Sequence, residues 1–167
     1  FGIMYGAGPF RISQELGISR KEAIKIIESY FNKYSGIQDY IQTTIEKARK
    51  YKFVETIMGR RRPIWDVDSD NGLRRKASER IAINMPIQGS AAELIKLAMY
   101  SIHHELLERD MRAKMILQIH DELLFEFPKE EEKDLLELVI NKMENAMNLS
   151  IPIVVDYGVG KNWFEAH

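Results

Sequence analysis

A chain of 167 residues without a cysteine can build one or two cored units, but it cannot be a disulfide scaffold or hold a metal through thiolates. At 45% hydrophobic and 29% charged residues it has the make-up of an ordinary globular protein, and a net charge of −1 does not mark the whole chain as a nucleic-acid binder. No apolar run approaches the ~20 residues of a membrane-spanning helix.

Charge is unevenly spread. Between Lys47 and Arg80, eleven basic residues face five acidic ones, a net +6. From Asp121 to the end, eleven acidic residues face four lysines, a net −7. A basic middle and an acidic tail suit a polyanion lying across one part of the chain only, and they equally suit solvated helix faces.

The chain opens on Phe1-Gly2-Ile3-Met4-Tyr5-Gly6, with no initiator Met and no polar lead-in, and reads as cut from something longer. Phe1 and Tyr5 are four apart and would share a helix face, which Gly6 to Pro9 would end. Phe10 to Leu16 is a predicted helix closed by Gly17. Ser19 and Glu22 form a capping box for the next helix, whose Ala23, Ile26, Ile27, Tyr30, Phe31 and Tyr34 make a core stripe. A further helix carries Ile37, Tyr40, Ile41, Thr44, Ile45 and Ala48.

Phe53 to Met58 favours a strand, Gly59 to Pro63 a break, and Ile64-Trp65 a returning strand. Arg60, Arg61 and Arg62 would then sit at a hairpin tip, where guanidinium forks match phosphate oxygens. Asp66 to Gly72 reads as loop. Leu73 to Asn84 reads as helix, interrupted by Pro86, with Ser90 and Glu93 capping a new long helix beyond it. Arg80, Asn84 and Gln88, four apart, suit contacts to minor-groove acceptors, which look alike whatever the base pair.

Lys114 to Phe127 is a predicted hairpin. Two apolar runs flank Gln118, Ile119, His120, Asp121 and Glu122, and no Gly or Pro marks the turn. Carboxylates at such a junction can ligate Mg²⁺, which prefers oxygen. A solvated acidic turn, or a paired acid/base site, fits the same residues; the pair would converge only if the turn breaks the pleat. Pro128 opens a helix with Glu130, Glu131 and Glu132 in its first turn and Leu135, Leu138 or Val139, Ile140 and Met143 as its stripe. Ile151 to Tyr157 is rich in β-branched residues and reads as a last strand, with Trp163 and Phe164 pinning the end to the core.

Four landmarks occur in order: Phe1 to Gly6, Gly59 to Arg62, Asn84 to Ala92, and Gln118 to Glu122. Together they resemble the carboxyl-terminal part of the polymerase domain of the bacterial family A DNA polymerases, over the whole chain. The first is similar to the end of the family's motif B helix, the last to its motif C. The resemblance implies an α+β fold, helices packed on a small antiparallel sheet, with residues 1–40 as the rear of the fingers and 41–167 as most of the palm. It implies a DNA-directed DNA polymerase, a nucleotidyltransferase of replication and repair that extends a primer 3′ hydroxyl with deoxynucleoside triphosphates on a primer–template DNA. Two Mg²⁺ ions ~4 Å apart would serve that reaction.

By the same resemblance Asp121 ligates the metal pair and Glu122 supports it. Phe1 packs near the sugar of the incoming nucleotide, Tyr5 stacks over the templating position, and Gly6 allows close approach. Arg60, Arg61, Arg80, Asn84, Gln88 and His120 lie along the DNA. The second metal-binding Asp and the Arg and Lys of the triphosphate clamp would lie before Phe1. These residues are therefore expected not to polymerise alone, and to need the upstream part as a covalent parent or a second chain. A cytoplasmic, nucleoid-associated protein with no membrane partner is implied. Two other readings stay open: a non-catalytic duplex-binding module with the palm fold, and a small hydrolase using Asp121 and Glu122.

Overall fold

The described residues of the computed structural model run from Gly2 to Ala166. Phe1, and with it the expected pairing of Phe1 and Tyr5 on one helix face, lies outside them. The chain divides into two compact units, Phe1–Ser90 and Ala91–His167.

The first unit begins with turns rather than the expected helix. The Gly6 amide donates to Ile3 O at 3.1 Å and the Ala7 amide to Gly2 O at 2.8 Å. α1 (Pro9–Leu16) starts on a proline, whose missing N–H costs nothing in a first turn, and ends on left-handed Gly17. α2 (Arg20–Lys33) has the expected capping box. The Glu22 amide donates to Ser19 Oγ at 3.2 Å, and the Ser19 amide to the Glu22 carboxylate at 2.9 Å. The α2 stripe is shallower than expected: Ala23 is buried, but Ile26 and Tyr34 are 40% and 46% exposed. α3 (Ser35–Tyr51) buries Thr44 and Ala48.

β1 (Phe53–Glu55) pairs antiparallel with β2 (Arg61–Pro63), in the register Phe53↔Pro63, Val54↔Arg62, Glu55↔Arg61. The returning strand thus comes earlier than expected. Arg61 and Arg62 belong to it, and only Arg60 lies in the turn. Pro63 is tolerated because β2 is an edge strand. Ile64 is 3% exposed, whereas Trp65 opens a 3-10 turn (Trp65–Asp68) and is 77% exposed. Ala48, Val54, Ile64, Val67 and Ala82 form the core of this unit, with Met85 against them.

α4 (Gly72–Glu108) is one helix of 37 residues, not two, and Pro86 lies inside it. Asn71 caps it, its Oδ1 accepting the Leu73 and Arg74 amides. Pro86 has no N–H for the carbonyl of Ala82. Side chains bond to neighbouring carbonyls of the same turns. The Tyr40 hydroxyl donates to Ile83 O at 2.8 Å. Ser90 is therefore not a cap. Its hydroxyl donates back to Pro86 O at 2.5 Å and accepts the Ile57 amide at 3.0 Å. Burial holds the Tyr40 phenol above the ordinary tyrosine range, Thr44's hydroxyl opposing, so it keeps the proton it donates.

The second unit packs the remaining turns of α4 against α5 (Glu132–Glu144) and a hairpin of β3 (Lys114–Ile119) and β4 (Glu122–Glu126). Ala98, Ile102, Leu106, Ala113, Leu135 and Leu138 are its core, with Met115, Leu123 and Phe125 against it. α5 starts later than expected: Pro128 leads into a 3-10 turn (Lys129–Glu131), and the helix follows. Glu131 accepts the amides of Arg112 at 3.0 Å and Ala113 at 2.9 Å, tying the start of β3 to the start of α5. The expected last strand does not form. Among the described residues 151–157 no ladder is made; Ile151, Val154 and Tyr157 are exposed, and the Val155 amide donates to Glu144. β-branched residues favour a pleated surface only where a neighbouring strand supplies one. Phe164, 92% exposed, does not pin the end to a core.

A Cβ at Gly89 would stand 2.5 Å from Cγ2 of Thr56, a residue 5% exposed, so Gly89→Ala is expected to cost ~1–3 kcal/mol in urea unfolding. The amides of Arg112 and Ala113 and the Arg112 guanidinium hold Glu131 below the usual carboxylate range. A depressed carboxylate stabilises above its unfolded pKa of ~4.3 and loses that contribution as pH falls through the folded value. Glu131→Gln is expected to melt lower than the parent at pH 7, with the gap narrowing as pH falls below the unfolded carboxylate range.

Candidate functional site

The sequence-predicted residues fall into both units. In the second, Asp121 sits at the tip of the β3–β4 hairpin. Ile119 pairs with Glu122, which leaves His120 and Asp121 as a two-residue loop. Two-residue hairpin loops need a left-handed residue to match strand twist, and Gly or Asn ordinarily supplies it. Here it is His120, at φ 54°. A non-glycine residue held left-handed stores on the order of 1–3 kcal/mol, and histidine is among the better-tolerated types. Gln118 steadies the loop: its Nε2 donates to His120 O at 2.9 Å. A register shift between Met115 and Leu117 bends β3 below the tip.

The consequence is that Asp121 and Glu122 are not alternate residues of one strand. Asp121 is in the loop, Glu122 opens β4, and both are exposed. An exposed carboxylate on a hard turn is a suitable oxygen donor for Mg²⁺. Among the described residues, however, no group of three His, Cys, Asp or Glu side chains converges. The donor chemistry fits Mg²⁺, and the hairpin alone supplies an incomplete ligand set.

In the first unit, α4 carries Arg80, Asn84 and Gln88 in unbroken helix, so the three stand ~6 Å apart along one edge. Arg80 and Gln88 are exposed and Asn84 is half-buried. The Asn84 Oδ1 is buried with no hydrogen-bond partner among the described residues. The amino-terminal turns pack onto this helix. At Gly6, φ is +80°, and a Cβ there would lie 3.6 Å from Arg80 Cγ and 3.9 Å from Ile83 Cδ1. Tyr5, Gly6 and Arg80 line a cleft of 320 Å³ with Gly2, Ala7, Gly8 and Arg11. Arg11 was not singled out by sequence; it lies on α1 in an ion pair with Glu15 at 2.7 Å, and no motif marks it.

Arg60 and Arg61 differ in setting. Arg60 lies in the turn, its amide donating to Thr56 Oγ1 at 3.1 Å. Arg61 lies in β2, with Nε 3.2 Å from the Glu55 carboxylate and its guanidinium 4.5 Å from the centre of the Phe53 ring. Phe1 lies outside the described residues.

Comparison with known proteins places these features in one family. The model of DNA polymerase family A matches residues 1–165. The DNA polymerase I of Lactococcus lactis subsp. cremoris is 45% identical over 166 residues, and that of Bacillus subtilis 43% over 166. Each match covers 99% of this chain and 19% of the relative, so the chain spans about a fifth of the length of the curated relatives it matches. A solved structure, the POL domain of Pol1 from M. smegmatis in complex with DNA primer-template and dNTP, superposes with a TM-score of 0.96 at 41% identity. It covers 99% of this chain and 29% of that one. The chain belongs to DNA polymerase family A. No helix among the described residues is long and apolar enough to cross a membrane.

The left-handed loop is directly testable. His120→Val places a β-branched residue at positive φ and is expected to cost ~1–2 kcal/mol in urea unfolding, whereas His120→Gly is expected to cost nothing or to stabilise.

Proposed function

We propose that the chain is the carboxyl-terminal part of a DNA-directed DNA polymerase, with residues 1–40 at the rear of the fingers and 41–167 in the palm. The activity is template-directed transfer of a nucleotidyl group from a deoxynucleoside triphosphate to a primer 3′ hydroxyl. The observation that carries the reading is the hairpin tip: an exposed Asp121, aimed by a left-handed His120, in a chain of this family.

In this reading Asp121 is a catalytic metal ligand and Glu122 a weaker, supporting carboxylate. Bound Mg²⁺ would supply charge neutralisation at the reacting phosphate and lower the pKa of the attacking hydroxyl. The remaining carboxylate, and the cations that grip the triphosphate, come from the upstream part of the polymerase, covalent or as a second chain. Residues 1–167 alone therefore do not extend a primer. Phe1 lies by the sugar of the incoming nucleotide and Tyr5 stacks at the templating position, where Gly6 permits close approach.

Arg80, Asn84 and Gln88 read minor-groove acceptors of the primer–template. His120, Arg60 and Arg61 contact the same DNA. The exposed Arg80 and Gln88, both hydrogen-bond donors, support a polar edge suited to such acceptors. The primer–template and dNTP of the M. smegmatis structure are the partners this reading assigns here. A cytoplasmic, nucleoid-associated setting goes with it.

The test uses these residues joined to their upstream polymerase segment. Asp121→Ala is expected to cut single-nucleotide extension by ~10³-fold or more while changing primer–template affinity less than ~3-fold. Extension that survives the substitution would overturn the reading; binding lost together with extension would favour a duplex-binding module.

A further inference from the structure

The turn that carries Arg60 is fastened to α4 by contacts that serve neither unit's core. Thr56 and Ser90 are 5% and 8% exposed, while Ile57 and Met58 on the turn are 69% and 55% exposed. The turn itself is closed by Thr56. Its amide donates to Arg60 O at 3.0 Å, its Oγ1 accepts the Arg60 amide at 3.1 Å, and its carbonyl accepts the Gly59 amide at 3.0 Å. Gly59 at φ +83° lets the chain reverse there.

On the helix side, the Ser90 hydroxyl is used in both directions. It donates to Pro86 O at 2.5 Å and accepts the Ile57 amide at 3.0 Å. A hydroxyl has one proton and two lone pairs, so one side chain can join a helix carbonyl to a turn amide. Gly89, adjoining Gln88, lets the Thr56 methyl come within a distance that any side chain would forbid. Removing the hydroxyl leaves the Ile57 amide without its acceptor, and the turn has to move to find another.

We propose that Ser90 is a positioning residue for DNA binding. Its hydroxyl latches the Thr56–Arg60 turn to the Pro86–Ser90 stretch of α4 and thereby fixes where the Arg60 guanidinium meets a phosphate. The inference rests on the proposed polymerase reading, in which Arg60 contacts DNA, and it adds that this contact is set from the helix.

The test is the salt dependence of primer–template affinity, measured in these residues joined to their upstream polymerase segment. Removing one lysine or arginine from a phosphate makes the slope of log K against log salt shallower by ~0.9, a readout that a fall in stability alone does not move. Arg60→Ala is expected to show that change. Ser90→Ala is expected to show it too, with faster hydrogen exchange at the Ile57 amide. Ser90→Thr, which keeps the hydroxyl, is expected to restore the parent slope. The double substitution is expected to flatten the slope no further than Arg60→Ala alone. Thr56→Val, which opens the turn from its other side, is expected to act like Ser90→Ala and serves if that variant does not fold.

A parent-like slope in Ser90→Ala, or effects that add in the double variant, would overturn the latch while leaving Arg60 as a DNA contact. An unchanged slope in Arg60→Ala would overturn the Arg60 contact and with it the positioning role of Ser90.

Discussion

A proline in the middle of a helix of 37 residues is the constraint on which the first unit depends. Pro86 withdraws a donor from the ladder, and an interior proline ordinarily costs ~3 kcal/mol or more. The helix continues through it, and side-chain hydrogen bonds gather on the turns around the proline. Tyr40 reaches in from α3, and Ser90 bonds back along the helix while holding the β1–β2 turn. Hydrogen bonds from Tyr40 and Ser90 bring α3, the hairpin and α4 onto one stretch, which carries Asn84 on one side of the proline and Gln88 on the other.

In the second unit a different strain does comparable work. The β3–β4 loop is closed without glycine, by a histidine in the left-handed region, and Gln118 holds the carbonyl of that histidine. A tight loop fixes its second residue more firmly than a long one, and that residue is Asp121. At the open end of the hairpin, Glu131 holds the amides that lead into β3. Glu105 on α4 binds Lys142 of α5 at 2.8 Å and Arg109 at 2.7 Å; Lys142 first, then Arg109, hold its carboxyl below the usual range. Glu131, in the acidic tail, is thus spent on internal bonds of this unit.

Local chemistry was the most legible part of the sequence. The Ser19–Glu22 box, the Gly17 stop and the β3–β4 hairpin are each decided within a few residues, and they form as expected. The elements that differ share a cause, since each needed a partner from elsewhere in the chain. Pro86 and Ser90 look like a helix break and a cap unless Tyr40 and Ile57 are known to be at hand. The arginine run looks like a tip because Pro63 looks like a breaker, yet an edge strand tolerates it. Ile151 to Tyr157 has strand chemistry but no strand beside it among the described residues. Of the candidate site, the residue types and spacing were legible; the left-handed His120 and the company of Arg11 and Arg80 in one cleft were not, because both are products of tertiary packing.

The hairpin tip, in this reading, is one part of a metal site that other residues complete. The most direct measurement is single-nucleotide primer extension with Mg²⁺, using residues 1–167 alone and then mixed with the upstream polymerase segment. Extension only in the mixture is the predicted result. Extension by residues 1–167 alone would contradict the reading, because a complete ligand set would then have to exist within this chain.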